Sequence, residues 1–232
     1  MNEKNAWELH KAATEDQFAS EEISLGPWSS FSLRTDPKHL VFVLSRYKFA
    51  LKMLEGKRSI LEIGCGDGVG ANIVGDARDL STLFCIDWDK RNIEGNKRRN
   101  SGINEKIHFE THDMNESTFV NSSAPSGFEA AFMIDVIEHV EPDKENAFLI
   151  NICNSLSSSG ILLTGTPNIS ASQYASPQSN AQHINLKSPE TLRKTMEKYF
   201  QHVFNFGMND EVLHTGYSPM CHYIWTLAVN PK

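Results

Sequence analysis

Short apolar runs alternate with amphipathic stretches along most of this chain. Ser59–Ile63, 82–86, Ile107–Thr111, 130–134 and 161–166 are compact runs rich in branched and aromatic side chains, and each predicts a strand. Between them, 69–75, 90–100 and 144–156 predict helices, the last ending at the Ser157-Ser158-Ser159-Gly160 stop. Ser188-Pro189-Glu190 starts another helix over 191–199. Residues 202–208 and 223–229 predict two final strands with no helix between them. Upstream, Asp36-Pro37 is a cap followed by a first-turn proline. It opens a helix over 39–54 with Leu40, Val43, Leu44, Tyr47, Leu51 and Leu54 at helical spacing. Residues 27–31, Pro-Trp-Ser-Ser-Phe, read as an aromatic-bearing loop. Strands that alternate with helices imply an α/β fold, a parallel sheet covered on both faces. Two last strands without a crossover imply an antiparallel hairpin at one edge. The chain divides into an N-terminal arm with helices, 1–56, and a main domain, 57–232. The arm's aromatics either pack it onto the domain or serve a lid over the site.

Length and charge narrow the classes. A chain of 232 residues can bury a substantial core, and its formal net charge is −7. That balance disfavours nucleic acid as a partner. Cys65, Cys85, Cys153 and Cys221 have no paired spacing, so neither a disulfide framework nor a zinc knuckle is expected. No apolar run approaches the ~20 residues that span a bilayer. The first residues lack the apolar core of a signal peptide. The expected location is cytoplasmic, and oligomeric state is left open.

Candidate chemistry gathers at the strand ends, where open α/β sheets bind ligands. The first strand runs into Glu62-Ile63-Gly64-Cys65-Gly66-Asp67-Gly68. Glycines there let a ligand approach the backbone. The spacing is not the dinucleotide pattern G-x-G-x-x-G, and Glu62 and Asp67 argue against a pyrophosphate. Carboxylates beside the turn suit an amine or a sulfonium. Asp87 closes the second strand, where a carboxylate can accept from two ribose hydroxyls. The fourth strand ends in Ile134-Asp135-Val136-Ile137-Glu138-His139. If the chain turns helical there, Asp135, Glu138 and His139 share a face. Such a trio can ligate a metal, or supply a base with its orienting acid.

Glu62-x-Gly64-x-Gly66-x-Gly68 resembles motif I of the class I S-adenosylmethionine-dependent methyltransferases. The resemblance covers most of the chain from about residue 57. It implies a Rossmann-like class I methyltransferase fold with a mostly parallel seven-stranded sheet and the antiparallel C-terminal hairpin. It implies S-adenosyl-L-methionine held by Gly64, Gly66 and Gly68, its ribose on Asp87, and its adenine on Asp113 and the backbone of Met114. Ile134 would add backbone and apolar contact. Leu44-Ser45-Arg46-Tyr47 resembles a segment of the ubiquinone-biosynthesis O-methyltransferases, which implies Arg46 on the cofactor carboxylate. A guanidinium fork suits that role.

The acid-x-x-Glu-His run is similar to one in that group and in the small-RNA 3′-terminal 2′-O-methyltransferases. The latter add a histidine beyond a Thr-Pro-Asn, matched here by Thr166-Pro167-Asn168 and His183. The resemblance implies Asp135, Glu138, His139 and His183 as ligands of a divalent ion such as Mg or Mn. His139 or His183 would accept the proton. Those families usually carry Glu where this chain has Asp135. A metal-free base and a packing role for the histidine stay open. The expected activity is O-methylation of a polar small molecule, a sugar or glycan precursor. Alternatives are a catechol or quinone precursor, an RNA 3′ end, or a non-catalytic sensor or partner subunit. The polar loop 168–186 and the segment 209–217 are candidate substrate walls.

Overall fold

The computed structural model describes residues 3–19 and 22–232. Strands β1 (Ser59–Ile63), β2 (Thr82–Asp87), β3 (Ile107–Thr111), β4 (Phe128–Ile134), β5 (Leu156–Pro167), β6 (Phe200–Asn209), β7 (Val212–His214) and β8 (Tyr223–Pro231) form one sheet. Its order is β3-β2-β1-β4-β5-β8-β6-β7. The first five strands are parallel, and β8 runs antiparallel to both β5 and β6. The sheet therefore has eight strands, one more than the expected seven. The extra strand is β7, from the segment read as a connection. Asp210, at φ 49°, turns the chain so that Val212–His214 pair with Gly207–Asn209. Three residues carry too little periodicity to announce a strand.

Both faces of the sheet are covered, as the near-continuous apolar strands require. Ile60, Leu83, Cys85 and Phe132 pack to one side, against Tyr47, Ala50 and Leu54 at the end of α3 (Pro37–Met53) and Ile93 of α5 (Lys90–Arg99). Leu61, Phe84, Ile86 and Met133 pack to the other. They meet Phe148, Leu149 and Ile152 of α6 (Glu145–Ser155) and Leu192 and Met196 of α8 (Pro189–Glu197). Neighbours alternate between faces because the strand period is two. The Asp36 side chain accepts from the His39 N–H and caps α3, as its sequence implies. Ser188 and Thr191 close a capping box on α8.

Three further expectations change. Residues 27–31 lie in a helix, α2 (Pro27–Thr35), with Pro27 in its first turn, where its missing N–H costs nothing. Helix α6 ends at Ser155, and the serine run 157–159 belongs to β5. The loop 168–186 contains a 3-10 segment, Ile169–Tyr174, and the short helix α7 (Pro177–Gln182). Helix α1 (Glu3–Ala19) precedes α2, and α4 (Ala71–Gly75) follows the glycine turn. Among the described residues, no helix is long and apolar enough to cross a membrane. All four cysteines are free thiols.

Candidate functional site

The glycine turn leaves β1 and enters α4 with Gly64, Gly66 and Gly68 all at positive φ. Gly64, at φ 72°, is doubly constrained, because a Cβ there would sit 2.5 Å from Val136. The Gly66 N–H donates to Asp87 Oδ2 at 2.9 Å, and the Asp89 N–H donates to Asp87 Oδ1 at 2.8 Å. Strand order places β2 beside β1, so this carboxylate lands directly on the turn. Burial raises the Asp87 pKa, while those two N–H groups oppose the shift. Next to it opens a cleft of about 180 Å³ lined by Gly64, Asp87, Trp88, Asp113, Met114 and His139. Asp113 is steadied by Asn115, whose N–H donates to Oδ1 at 2.8 Å. Ile134 is buried at the end of β4.

The other two acids of the turn do not face this cleft. Asp67 accepts from the Ser29 N–H at 2.8 Å and from its hydroxyl at 3.1 Å. It thereby ties α2 to the turn. Glu62 is buried beneath the turn beside Tyr47 and Cys85, and burial raises its pKa to about 7. Its unfolded value is near 4.5, so folding favours its protonated form between those values. Its contribution is full below about pH 4.5 and is lost as pH rises to about 7, roughly 3 kcal/mol in all. Glu62→Gln is expected to flatten that part of the stability profile, measured by urea unfolding across pH.

Arg46 and Asp135 occupy one spot. Arg46 lies on α3 and is buried. Its guanidinium carbon is 3.9 Å from the centre of the Phe42 ring and 4.0 Å from that of Tyr223. Between those rings it makes an ion pair and hydrogen bond with Asp135. The Asp135 N–H still continues the sheet by donating to Gly165 O at 3.0 Å. The residue then takes φ 55°, and the 3-10 turn Ile137–His139 begins only afterwards. Asp135 therefore lies outside that turn, yet its carboxylate stays close enough to Glu138 and His183 to act on both. No motif in the sequence marks Phe42 or Tyr223 as partners of Arg46. The Phe42–Arg46 spacing of four on a helix was the available signal.

Glu138, His139 and His183 do come together, with donor atoms all within 4.8 Å of one another. Glu138 is fully buried, and Thr166 at the end of β5 donates to its Oε2 at 2.9 Å. Its Oε1 is buried without a partner. Burial, then the nearby Asp135, raises its pKa to about 8. The His139 Nδ1 lies 3.1 Å from Gln182 O, and its ring centre is 5.0 Å from that of His183. Burial, followed by His139, lowers the His183 pKa, with Asp135 opposing.

A methyltransferase-domain family profile matches residues 38–199. Among curated proteins, none matches the chain in sequence. Among solved structures, the methyltransferase domain of a bacterial CtHen1-C is similar at TM-score 0.67 and 15% identity, covering 82% of this chain and 100% of that one. A methyltransferase from Haloferax volcanii, in complex with the activator Trm112, aligns at TM-score 0.68 and 12% identity, with 92% and 100% covered. The N-methyltransferase NodS of Bradyrhizobium japonicum aligns at 0.59 and 15%, with 85% and 99% covered. The profile spans most of the chain, and the fold is shared with these structures. The chain thus belongs to the methyltransferase-domain family and is a class I S-adenosylmethionine-dependent methyltransferase.

Proposed function

We propose that this enzyme methylates a hydroxyl of a polar small molecule bearing neighbouring hydroxyls, a sugar or glycan precursor, and that a divalent ion assists. One observation carries the reading. Glu138, His139 and His183 converge, and the buried Glu138 Oε1 has no partner in the chain. A buried carboxyl with an idle oxygen is costly unless a ligand uses it. Contact between Gln182 O and His139 Nδ1 leaves Nε2 as the free donor atom, as metal-binding histidines are commonly oriented. These three residues fit an ion such as Mn or Mg. Bound there, it would act as a Lewis acid that lowers the pKa of a hydroxyl. Asp135, the fourth ligand implied by the resemblance, pairs with Arg46 through Oδ2 and keeps a buried Oδ1 without a partner; the reading rests on the three residues that converge.

The rest is positioning. Gly64, Gly66 and Gly68 give the cofactor its close approach, Asp87 accepts from its ribose, and Asp113 and Met114 flank its adenine in the cleft beside Trp88, while Ile134, which does not line that cleft, would meet the cofactor through its backbone. The Arg46 Nε has no partner and is the donor we assign to the cofactor carboxylate. Helix α2, held on Asp67 by Ser29, closes the cofactor turn as a lid. His183, whose pKa burial holds down, is the base we assign to the hydroxyl proton if no ion is present. The acidic balance of the chain, net charge −7, favours a sugar over a polyanion. Exposed Tyr174 and Tyr217, on connections at the same edge of the sheet, offer rings for a sugar to stack on.

An RNA 3′ end is the second reading, favoured by the same converging trio, because its terminal ribose also presents two adjacent hydroxyls. Formation of S-adenosylhomocysteine is measured with sugar nucleotides, catechols and a short RNA, with and without chelator. Turnover of a sugar diol that stops on chelation and returns with Mn is expected. A chelator-insensitive rate replaces the ion with a histidine base. A preference for amines overturns the proposal, and a preference for the RNA selects the second reading.

A further inference from the structure

His183 sits on a segment that apolar packing does not hold. Neither the 3-10 segment Ile169–Tyr174 nor α7 buries a side chain, and Tyr174 and Ile184 are exposed. Ordering such a stretch loses conformational entropy, so something else must fix it. Polar ties do so where it returns to the sheet. The Ile169 N–H donates to Lys187 O at 2.9 Å, and Asn168 pairs with Lys187 as an isolated parallel bridge. Asn185 donates its N–H to Glu138 O at 3.0 Å.

The side chains beyond make a closed triangle. Lys187 Nζ lies 2.6 Å from Glu145 Oε2 and donates to Asn185 Oδ1 at 2.8 Å. Asn185 Nδ2 donates to the same Glu145 oxygen at 2.7 Å. The Lys187 and Glu145 side chains are 13% and 14% exposed, and Asn185 is 8% exposed. Charge-assisted hydrogen bonds shielded from water in this way are stronger than exposed surface pairs. Glu145 opens α6, six residues beyond His139, so the triangle links the His183 segment to the element that follows Glu138 and His139. A carboxylate in the first turn of a helix is also favoured there.

We infer that Glu145, Asn185 and Lys187 are positioning residues. Their triangle sets the distance between His183 and the Glu138–His139 pair, and so the ion affinity of the site. This rests on the reading above that the three residues hold an ion. None of the triangle residues touches the cofactor cleft. Their loss therefore separates ion binding from cofactor binding.

The test is a Mn titration of the full chain followed by electron paramagnetic resonance, alongside S-adenosylhomocysteine titration. Lys187→Met is expected to weaken Mn binding by about tenfold or more. Cofactor affinity is expected to stay within about twofold, as for an independent site. Lys187→Arg is expected to restore Mn affinity, and Glu145→Gln, which keeps a partner for Asn185, to fall between. Hydrogen exchange over residues 182–187 is expected to quicken about tenfold in Lys187→Met, with β1 and β2 unchanged. Wild-type Mn affinity in Lys187→Met, while His183→Ala loses it, overturns the proposal. If wild-type protein binds no Mn, the ion reading fails by itself. Exchange then decides, and unchanged protection of 182–187 overturns the positioning role.

Discussion

Asp87→Ala is expected to weaken S-adenosylhomocysteine binding by about a hundredfold, measured by titration calorimetry. In the proposed reading the carboxylate accepts from both ribose hydroxyls of the cofactor, and hydrogen bonds to a charged group contribute ~1.5–3 kcal/mol each. Losing two leaves a deficit near 3 kcal/mol, about two orders of magnitude in affinity. The substitution also frees the Gly66 N–H that Asp87 now holds at 2.9 Å, so the turn loses its tether. Asp87→Asn keeps one acceptor and is expected to lie between. An Asp87→Ala protein that binds within about threefold of wild type would place the ribose elsewhere.

Glu138→Gln is expected to separate stability from activity. Glu138 is buried with one oxygen idle, and its pKa is raised to about 8. A raised carboxyl pKa favours folding below the unfolded value near 4.5, and that support is lost as pH rises toward 8. Glutamine fits the same space, can still meet Thr166, and does not ionise. The variant is therefore expected to melt higher than wild type near pH 8 and about equally near pH 4. Its turnover is expected to fall by roughly a thousandfold, because Lewis-acid assistance contributes several kcal/mol to a barrier. Sites that sacrifice stability for function behave this way. Scanning calorimetry at both pH values and a coupled assay read the two effects. A variant that is both less stable and fully active would make Glu138 a packing residue.

The parallel part of the fold could be read from the sequence because its signals are local. Five apolar runs, each closed by a polar, glycine or proline stop, mark β1 to β5, and the glycine turn with an acid at the next strand end follows from two of them. What could not be read depends on single dihedrals or distant partners. Asp135 stays out of the turn that carries Glu138 and His139 because of one φ of 55°, which no spacing rule encodes. Tyr223 reaches Arg46 across most of the chain, and only the order β5-β8-β6 makes that meeting intelligible. Asp67 looked like a ligand-facing acid, yet Ser29 of α2 claims it. Asn185 and Lys187 carry no motif at all. His183 was found through its resemblance to a distant pattern, and the structure does bring it to within 5.0 Å of His139, ring centre to ring centre.

The most direct test of the cofactor seat is the structure of the protein bound to S-adenosylhomocysteine. The account predicts one molecule across the Gly64–Gly68 turn, both ribose hydroxyls on Asp87, and adenine between Trp88 and Met114. Finding the ligand outside that cleft, or a nicotinamide nucleotide displacing it there, would contradict the account.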